Sequence, residues 1–435
     1  MKKILALLLA VMMLLTMVAC GGTNENGGTN ENGGNATDTP VETDPEPTKE
    51  VVTFLDPKPS QRPDYTLPED PTEQQLRETA VRAMRDMLTI QFSVPKNFKY
   101  NKEGAVNWKD YIYTTDTVYA GMPYADGQVN IFVWHEFYDS ETGRLRMEGD
   151  GQWLNSTLGN TCAGSLMWGW SAVSHTLTGS YINYNMTIKN GVLPVGTYTY
   201  DPVINSFHDI QTSEICKENG MATMFESYAM VKMADAVTSS TVDHTMMAIE
   251  DATVVLNADG SINPQQSYII IQDQAAGDTK SSKFNEFVED GITVHYTGRT
   301  NVKWTFLELY NSNYIPVTTQ EFAGKVAYAK PEVKLDNAGA SLEEIYTSTI
   351  TSIYPMSMIK IVAKKSTGRQ TELFHYYVNR MDVGTGLARS YKLSANRLDI
   401  DAEIEKLVAG DYTITLEVTD STGAVFNLAT ISYSK

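Results

Sequence analysis

Cysteine and positive charge are both scarce in this chain. Its 435 residues include three cysteines, and 34 lysines and arginines stand against 53 aspartates and glutamates, which leaves a formal net charge of −19. Because so acidic a chain repels nucleic acid and anionic membrane surfaces, we expect neither as a partner. Cys162 and Cys216 alone follow Cys20, too few for a fold held by a disulfide framework, although a single disulfide between these two stays an alternative.

Long apolar runs are missing except at the N-terminus. Residues 4–18 form an almost continuous apolar run after two lysines. This is shorter than the ~20 residues of a transmembrane helix and typical of a signal peptide. The run ends in Met17-Val18-Ala19-Cys20-Gly21, which resembles the lipobox of bacterial lipoproteins. The resemblance implies a signal peptide over residues 1–20, lipidation of Cys20, and a place on the extracytoplasmic face of the cell membrane, reached through the lipid anchor only. An ordinary signal peptide or an uncleaved anchor is the alternative.

The segment that follows has almost nothing apolar to bury. It begins with two copies of Gly-Gly-Thr-Asn-Glu-Asn and continues with prolines and acidic residues. We therefore predict a disordered acidic tether over residues 21–60.

The rest of the chain divides into two patterns, which meet at Pro331. Residues 61–330 show helices first and antiparallel strands afterwards, an α+β layout. Residues 331–435 show short strands and turns, which predict an immunoglobulin-like β-sandwich with an accessory role.

Several elements are predicted by periodicity and capping. A helix begins after Asp70, which we expect to cap it, and buries five apolar residues at helical spacing. The five are Leu76, Ala80, Met84, Met87 and Leu88. Further helices are predicted at 162–175, 212–218, 224–230 and near 306–310, and strands at 244–250, 252–257, 267–274 and 292–296.

Cys162 is the best candidate nucleophile. It follows Gly159-Asn160-Thr161 and precedes the small residues Ala163 and Gly164 and an apolar helical stretch, so we expect it at a helix N-terminus, where backbone N–H groups stabilise a thiolate. The small residues would let a substrate carbonyl approach those donors.

His244 is the best candidate base, because it stands at the start of a predicted strand later in the chain. The residue that orients it should come from the next strand, and Gln274 is the first choice. Gln272, Asp273 and Asn257 are the alternatives.

Three short motifs resemble the NlpC-type cell-wall peptidases. Tyr119-Ala120-Gly121-Met122-Pro123-Tyr124 is similar to their Gly-x-Pro-Tyr signature, and Cys162-Ala163-Gly164 to the segment that carries their nucleophile. Ala234-Asp235-Ala236-Val237, followed by His244, is similar to the segment before their catalytic histidine.

This resemblance implies a circularly permuted papain-like fold over residues 61–330 that hydrolyses peptide or amide bonds in peptidoglycan stem peptides. Cys162 would be the nucleophile, His244 the base and Tyr124 a wall of the substrate cleft. The two positions that bind the stem peptide's free amine in the family hold Thr161 and Ala163 here. Neither a cofactor nor a metal is expected.

Two alternatives remain open from the sequence. The chain could be a non-catalytic cell-surface binding lipoprotein on the same fold, or an enzyme of that fold that acts on another amide or ester. The sequence predicts no oligomeric state and no ligand for the β-sandwich.

Overall fold

The computed structural model describes residues 57–100, 111–125, 128–146, 158–178, 183–275, 285–377 and 387–435. Cys20, the predicted signal peptide and residues 21–56 of the predicted tether lie outside them. The described residues belong to one compact unit, Leu55–Asn101 with Lys109–Lys435. Pro57 is buried and the backbone N–H of Ser60 donates to the Tyr138 hydroxyl at 3.1 Å, so residues 57–60 belong to the fold and not to the tether.

The described residues form a mixed α+β structure with several antiparallel sheets. In chain order the helices are α1 (Glu73–Thr89), α2 (Ile131–Glu136), α3 (Cys162–Ser171), α4 (Thr212–Ala229), α5 (Phe306–Asn311), α6 (Leu342–Thr347) and α7 (Arg397–Lys406). None of the helices in this part of the chain is long and apolar enough to cross a membrane.

The strands, again in chain order, are β1 (Gln91–Phe92), β2 (Phe98–Tyr100), β3 (Tyr111–Tyr113), β4 (Val118–Ala120), β5 (Tyr138–Asp139), β6 (Arg144–Leu145), β7 (Val192–Pro194), β8 (Ala236–Ser239), β9 (His244–Ala248), β10 (Tyr268–Gln274), β11 (Asn285–Glu289), β12 (Ile292–Tyr296), β13 (Gly298–Thr305), β14 (Ile315–Thr319), β15 (Val333–Leu335), β16 (Thr349–Ser352), β17 (Met356–Lys365), β18 (Gln370–Tyr377), β19 (Ser390–Lys392), β20 (Asp411–Asp420) and β21 (Val425–Ser434).

A six-stranded antiparallel sheet, in the order β13-β10-β9-β8-β14-β7, is the platform for the site. Helices α1 and α3 pack on each other and on its strands β9, β10 and β13. The helices approach closely at Gly169, where a Cβ would lie 2.9 Å from the Met84 Cβ. A second sheet, β1-β4-β12-β11, adds a parallel β4–β12 pair beside α1.

The hydrophobic core falls mainly into two clusters. The larger one runs from Tyr65 to Phe322 and also includes Leu387, and the smaller one runs from Val333 to Ile431. The smaller cluster lies with the three-stranded sheet β15-β16-β19 and the four-stranded sheet β18-β17-β20-β21. The division into two domains at Pro331 stays a prediction.

The last β-hairpin contacts the helix that carries Cys162. The hydroxyl of Ser421, in the turn between β20 and β21, donates to the backbone carbonyl of Ser171 at the end of α3. In the same turn, the Thr422 carbonyl accepts from the backbone N–H of Tyr65 at 3.0 Å. These contacts couple the C-terminal strands to the helical layer of the larger core.

Most predicted elements are present, with differences at their ends. Helix α1 buries all five predicted apolar residues, but Thr72 caps it in a reciprocal box with Gln75, while Asp70 stays exposed. The two helices predicted at 212–218 and 224–230 form the single segment α4, interrupted at Gly220, where φ is 77°.

The predicted strand at 252–257 was wrong. It makes only the isolated bridges of Thr253 with Tyr268 and of Leu256 with Ile262, because the chain turns back at Asn257, whose N–H donates to the Ser261 carbonyl. Helices α6 and α7 were missed in a region that was predicted as strands and turns.

Candidate active site

Backbone pairing brings the segment that ends in Tyr124 to the start of α3. Tyr124 and Asn160 form a parallel β-bridge, and the N–H of Asn160 donates to the Pro123 carbonyl at 2.8 Å. Gly159, at a φ of 106°, permits this approach, since a Cβ there would lie 2.5 Å from that carbonyl oxygen. The pairing places the Tyr124 hydroxyl 3.7 Å from the Cys162 sulfur.

Cys162 is the first residue of its helix, as predicted. Thr161 caps the helix, its hydroxyl accepting from the N–H of Gly164 at 3.2 Å and its carbonyl from the N–H of Ser165 at 2.9 Å. Among the described residues, the N–H of Ala163 has no hydrogen-bond acceptor, whereas that of Cys162 interacts with the Tyr124 oxygen. The Ala163 N–H is an unsatisfied donor of a helix start, and it is available to an anion.

The small residues after Cys162 pack closely against their neighbours. Ala163 is 3% exposed and belongs to the hydrophobic core, so its side chain is not available to a substrate. A Cβ on Gly164 would lie 1.9 Å from Oδ1 of Asn160 and 2.7 Å from Oε1 of Gln128, two fully or nearly fully buried amides. The substrate-binding roles of Thr161 and Ala163 stay predictions; the Thr161 hydroxyl is occupied as a cap, and the Ala163 side chain is buried.

His244 opens β9 and lies between Cys162 and a buried carboxylate. Its Nε2–H donates to Oδ2 of Asp273 at 2.5 Å, and Asp273 is fully buried. Since Asp273 occupies Nε2, Nδ1 is the ring nitrogen left to interact with the Cys162 thiol, whose charge is coupled to that of His244. Asp243, the residue before His244, has a φ of 52°, so a left-handed turn sets the entry into the strand.

Charge couples the three groups. Burial opposes ionisation of Cys162, but the charge of His244 and hydrogen bonds from His244, Tyr124 and the Thr245 backbone together hold the pKa of the thiol below its usual value. Burial also opposes the charge of His244, yet the Cys162 thiolate and Asp273 raise the pKa of the imidazole to about 10. Both shifts favour the form of the pair in which Cys162 is a thiolate and His244 an imidazolium.

Asp273 keeps its negative charge despite its burial. Hydrogen bonds from His244 and Arg299 outweigh the cost of desolvation and keep the pKa of Asp273 below its usual value. Arg299 was not predicted. It is the cross-strand partner of Asp273 in the β10–β13 register, and its Nε donates to Oδ1 at 2.9 Å while its Nη2 donates to Oδ2.

Gln274 does not orient His244, so its predicted role was wrong. Its amide donates to the backbone carbonyl of Met122 at 2.6 Å, and that of Gln272 donates to a carbonyl of α1 at 2.9 Å. Successive side chains of a strand point to opposite faces, so both glutamines share the face of β10 opposite to Asp273. Asn257 is an exposed turn residue that bonds Ser261.

Cys216 and the remaining histidines lie in other environments. Cys162 and Cys216 are both free, so no disulfide joins them, and burial raises the pKa of Cys216 to about 12. Each of the other five histidines contacts a different partner: His135 contacts Ser140, His175 contacts Glu321, His208 stacks on the ring of Tyr184, His295 contacts Glu286, and His375 contacts Glu372. Across the described ranges, no group of three histidine, cysteine or carboxylate side chains could hold a metal ion.

Comparison with known proteins adds little. No family model and no curated protein matches the chain. One solved structure, "Crystal structure of tetra-tandem repeat in extending region of large adhesion protein", is similar over 46% of this chain, at 13% identity and a TM-score of 0.14. The match spans 40% of that protein's chain.

Proposed function

We propose that this protein is a cysteine hydrolase in which Cys162 is the nucleophile, His244 the base and Asp273 the residue that orients the base. The observation that carries the proposal is the position of His244, which is hydrogen-bonded through Nε2 to buried Asp273 and coupled in charge to a thiol at the first position of a helix. A nucleophile, a base and a group that orients the base are the parts that thiol catalysis requires.

The reaction follows from the charges of these groups. The Cys162 thiolate attacks the carbonyl carbon of the scissile amide, a C–S bond forms, and the carbonyl oxygen becomes an oxyanion that the open N–H group of Ala163 stabilises. As the C–N bond breaks, the His244 imidazolium gives its proton to the leaving amine. The neutral imidazole then takes a proton from water, whose oxygen attacks the thioester, and the acid product leaves as thiolate and imidazolium form again.

Tyr124 stabilises the thiolate in this scheme. Its hydroxyl donates towards the Cys162 sulfur, and burial, followed by the charge of Cys162, raises the pKa of Tyr124 well above its usual value. The phenol therefore stays protonated and remains a donor throughout the pH range of the reaction.

For the substrate we propose peptidoglycan stem peptides, and for the location the extracytoplasmic face of the membrane, with a lipid anchor at Cys20. The order of Tyr124, Cys162 and His244 after a lipobox-like segment supports this assignment. We propose further that the larger core is a circularly permuted papain-like domain, and that the C-terminal sheets form an immunoglobulin-like accessory domain.

The test compares two buried cysteines. Purified peptidoglycan is incubated with the parent protein, with Cys162→Ala and with Cys216→Ala, and soluble fragments and newly released amino groups are measured. Both substitutions remove one buried thiol, so the second controls for packing, and thermal unfolding of each variant verifies the fold. We expect Cys162→Ala to abolish release and Cys216→Ala to retain it.

Equal release by the parent and by Cys162→Ala would refute the proposal. If the folded parent releases nothing but is retained on peptidoglycan, the chain is a surface-binding protein instead.

A further inference from the structure

The carboxylate behind His244 has a second partner on the neighbouring strand. Arg299 lies opposite Asp273 in the register of β10 and β13, and two of its nitrogen atoms donate to the two oxygens of that carboxylate. Such a fork fixes both the position and the plane of a carboxylate, which a single donor does not. Oδ2 of Asp273 is thereby shared between Arg299 and Nε2 of His244.

We propose that Arg299 is the positioning residue of this site, holding the Asp273 carboxylate in the plane that keeps His244 directed at Cys162. The inference rests on the proposed function. Arg299 touches neither the thiol nor the ring in this arrangement, and it acts through Asp273.

The groups around Asp273 define what the loss of Arg299 would change. His244 faces the carboxylate from β9, Arg299 faces it from β13, and Tyr314 faces it from the segment before β14. Burial, followed by the charges of Asp273 and Cys162, raises the pKa of the Tyr314 phenol. Within this set Arg299 is the cation that does not take part in proton exchange. Without it, the buried carboxylate keeps a single charged partner, and its plane becomes free to rotate away from Nε2.

A cavity beside Arg299 allows the role of this side chain to be tested by chemical rescue. Arg299 is one of the residues lining a cavity of about 470 Å³, and its side chain is 32% exposed. Leu88, Phe287, Tyr296 and Val302 form apolar parts of the wall. Shortening Arg299 to alanine would enlarge this space, so a guanidinium ion from solution could enter and bind the Asp273 carboxylate.

The experiment uses the full chain and four variants: Arg299→Met, Arg299→Lys, Arg299→Ala and Lys303→Met. Lys303 is an exposed cation on the same strand and serves as the control for lost charge. One measurement is the rate of Cys162 alkylation by iodoacetamide against pH, and the other is the downfield proton NMR signal of the His244 Nε2–H. Neither needs a substrate.

We expect Arg299→Met to slow alkylation at neutral pH by ~10–100-fold, to move the onset of reactivity to higher pH and to shift or broaden the His244 signal. Arg299→Lys should give an intermediate alkylation rate, because it keeps the positive charge but loses the two-pronged contact with the carboxylate. Added guanidinium should partly restore the alkylation rate of Arg299→Ala, and the alkylation rate and His244 signal of Lys303→Met should match those of the parent. In an Asp273→Asn background, Arg299→Met should add less than twofold, since Arg299 acts through Asp273.

An Arg299→Met protein with the parent's pH profile and His244 signal would overturn the inference, as would an undiminished effect in the Asp273→Asn background. If Arg299→Met does not fold, Arg299→Lys provides the test. An Arg299→Lys protein with the parent's pH profile and His244 signal would show that the two-pronged contact of Arg299 does not position Asp273. Failure of the proposed function looks different: peptidoglycan stays intact while the His244 signal still depends on Arg299.

Discussion

Replacing Asp273 by asparagine tests which residue orients His244. Asparagine keeps the shape of the side chain but is uncharged, and it replaces one acceptor oxygen by an NH₂ donor, so it cannot accept all three hydrogen bonds that His244 and Arg299 donate to the carboxylate. A hydrogen bond to a charged group contributes ~1.5–3 kcal/mol. Because His244 and Arg299 are 19% and 32% exposed, water partly replaces what is lost, and we expect the free energy of unfolding to fall by ~2 kcal/mol.

The effect on reactivity should exceed the effect on stability. Without the negative charge of Asp273 the imidazolium is less stable, the pKa of His244 falls, and the thiolate–imidazolium pair reverts to thiol and imidazole. We expect alkylation of Cys162 and hydrolysis at pH 7 to fall by ~10²-fold, the lower end of what general acid–base catalysis contributes. The difference in alkylation should shrink above about pH 9, where an ordinary thiol ionises without help.

Gln274→Leu is the matched control, because it removes an equally buried polar side chain from the next position of β10. It loses hydrogen bonds to Met122 and Thr297 and should destabilise the fold by ~1–3 kcal/mol. The pH profile of Cys162 should nevertheless stay that of the parent. The assays are thermal unfolding and mass-spectrometric alkylation rates from pH 5 to pH 10. An Asp273→Asn protein that keeps the parent's pH profile would refute the assignment of Asp273.

Three further outcomes are expected. Hydrolysis should fall as pH rises through the His244 pKa of about 10, because the imidazolium proton needed by the leaving amine is lost, whereas alkylation of Cys162 should stay fast at that pH. A pH titration in which hydrolysis and alkylation are lost together would contradict this prediction. Tyr124→Phe should raise the pKa of the Cys162 thiol and slow alkylation at neutral pH by a factor below ~10, since it removes one of several hydrogen-bond donors. An unchanged alkylation rate would argue against a hydrogen bond from Tyr124 to the Cys162 sulfur. Gly164→Ala should lower the free energy of unfolding by at least ~1–3 kcal/mol in a denaturant titration, because its Cβ would overlap Oδ1 of Asn160. A variant as stable as the parent would show that the Asn160 amide can move.

Local sequence determined the parts of the site that depend on neighbouring residues. Gly159, Thr161 and the apolar stretch after Cys162 are enough to predict a capped helix with the cysteine at its first position, and the structure has that helix. The strand that begins at His244 and the strand that ends at Gln274 were also predicted. In each case the signal lies within about ten residues, through a cap, a turn or an alternation of apolar side chains.

Tertiary structure alone decided which side chains meet. Alternation along β10 separates Asp273 from Gln272 and Gln274, but it does not indicate which face His244 will share, because that depends on the register and twist of the sheet. The pairing of Asp273 with Arg299 depends in the same way on the register of β10 and β13, whose partners lie 26 positions apart in the chain. Such long-range pairings are specified by the packing of the whole core against α1 and α3, and no local pattern in the sequence contains them.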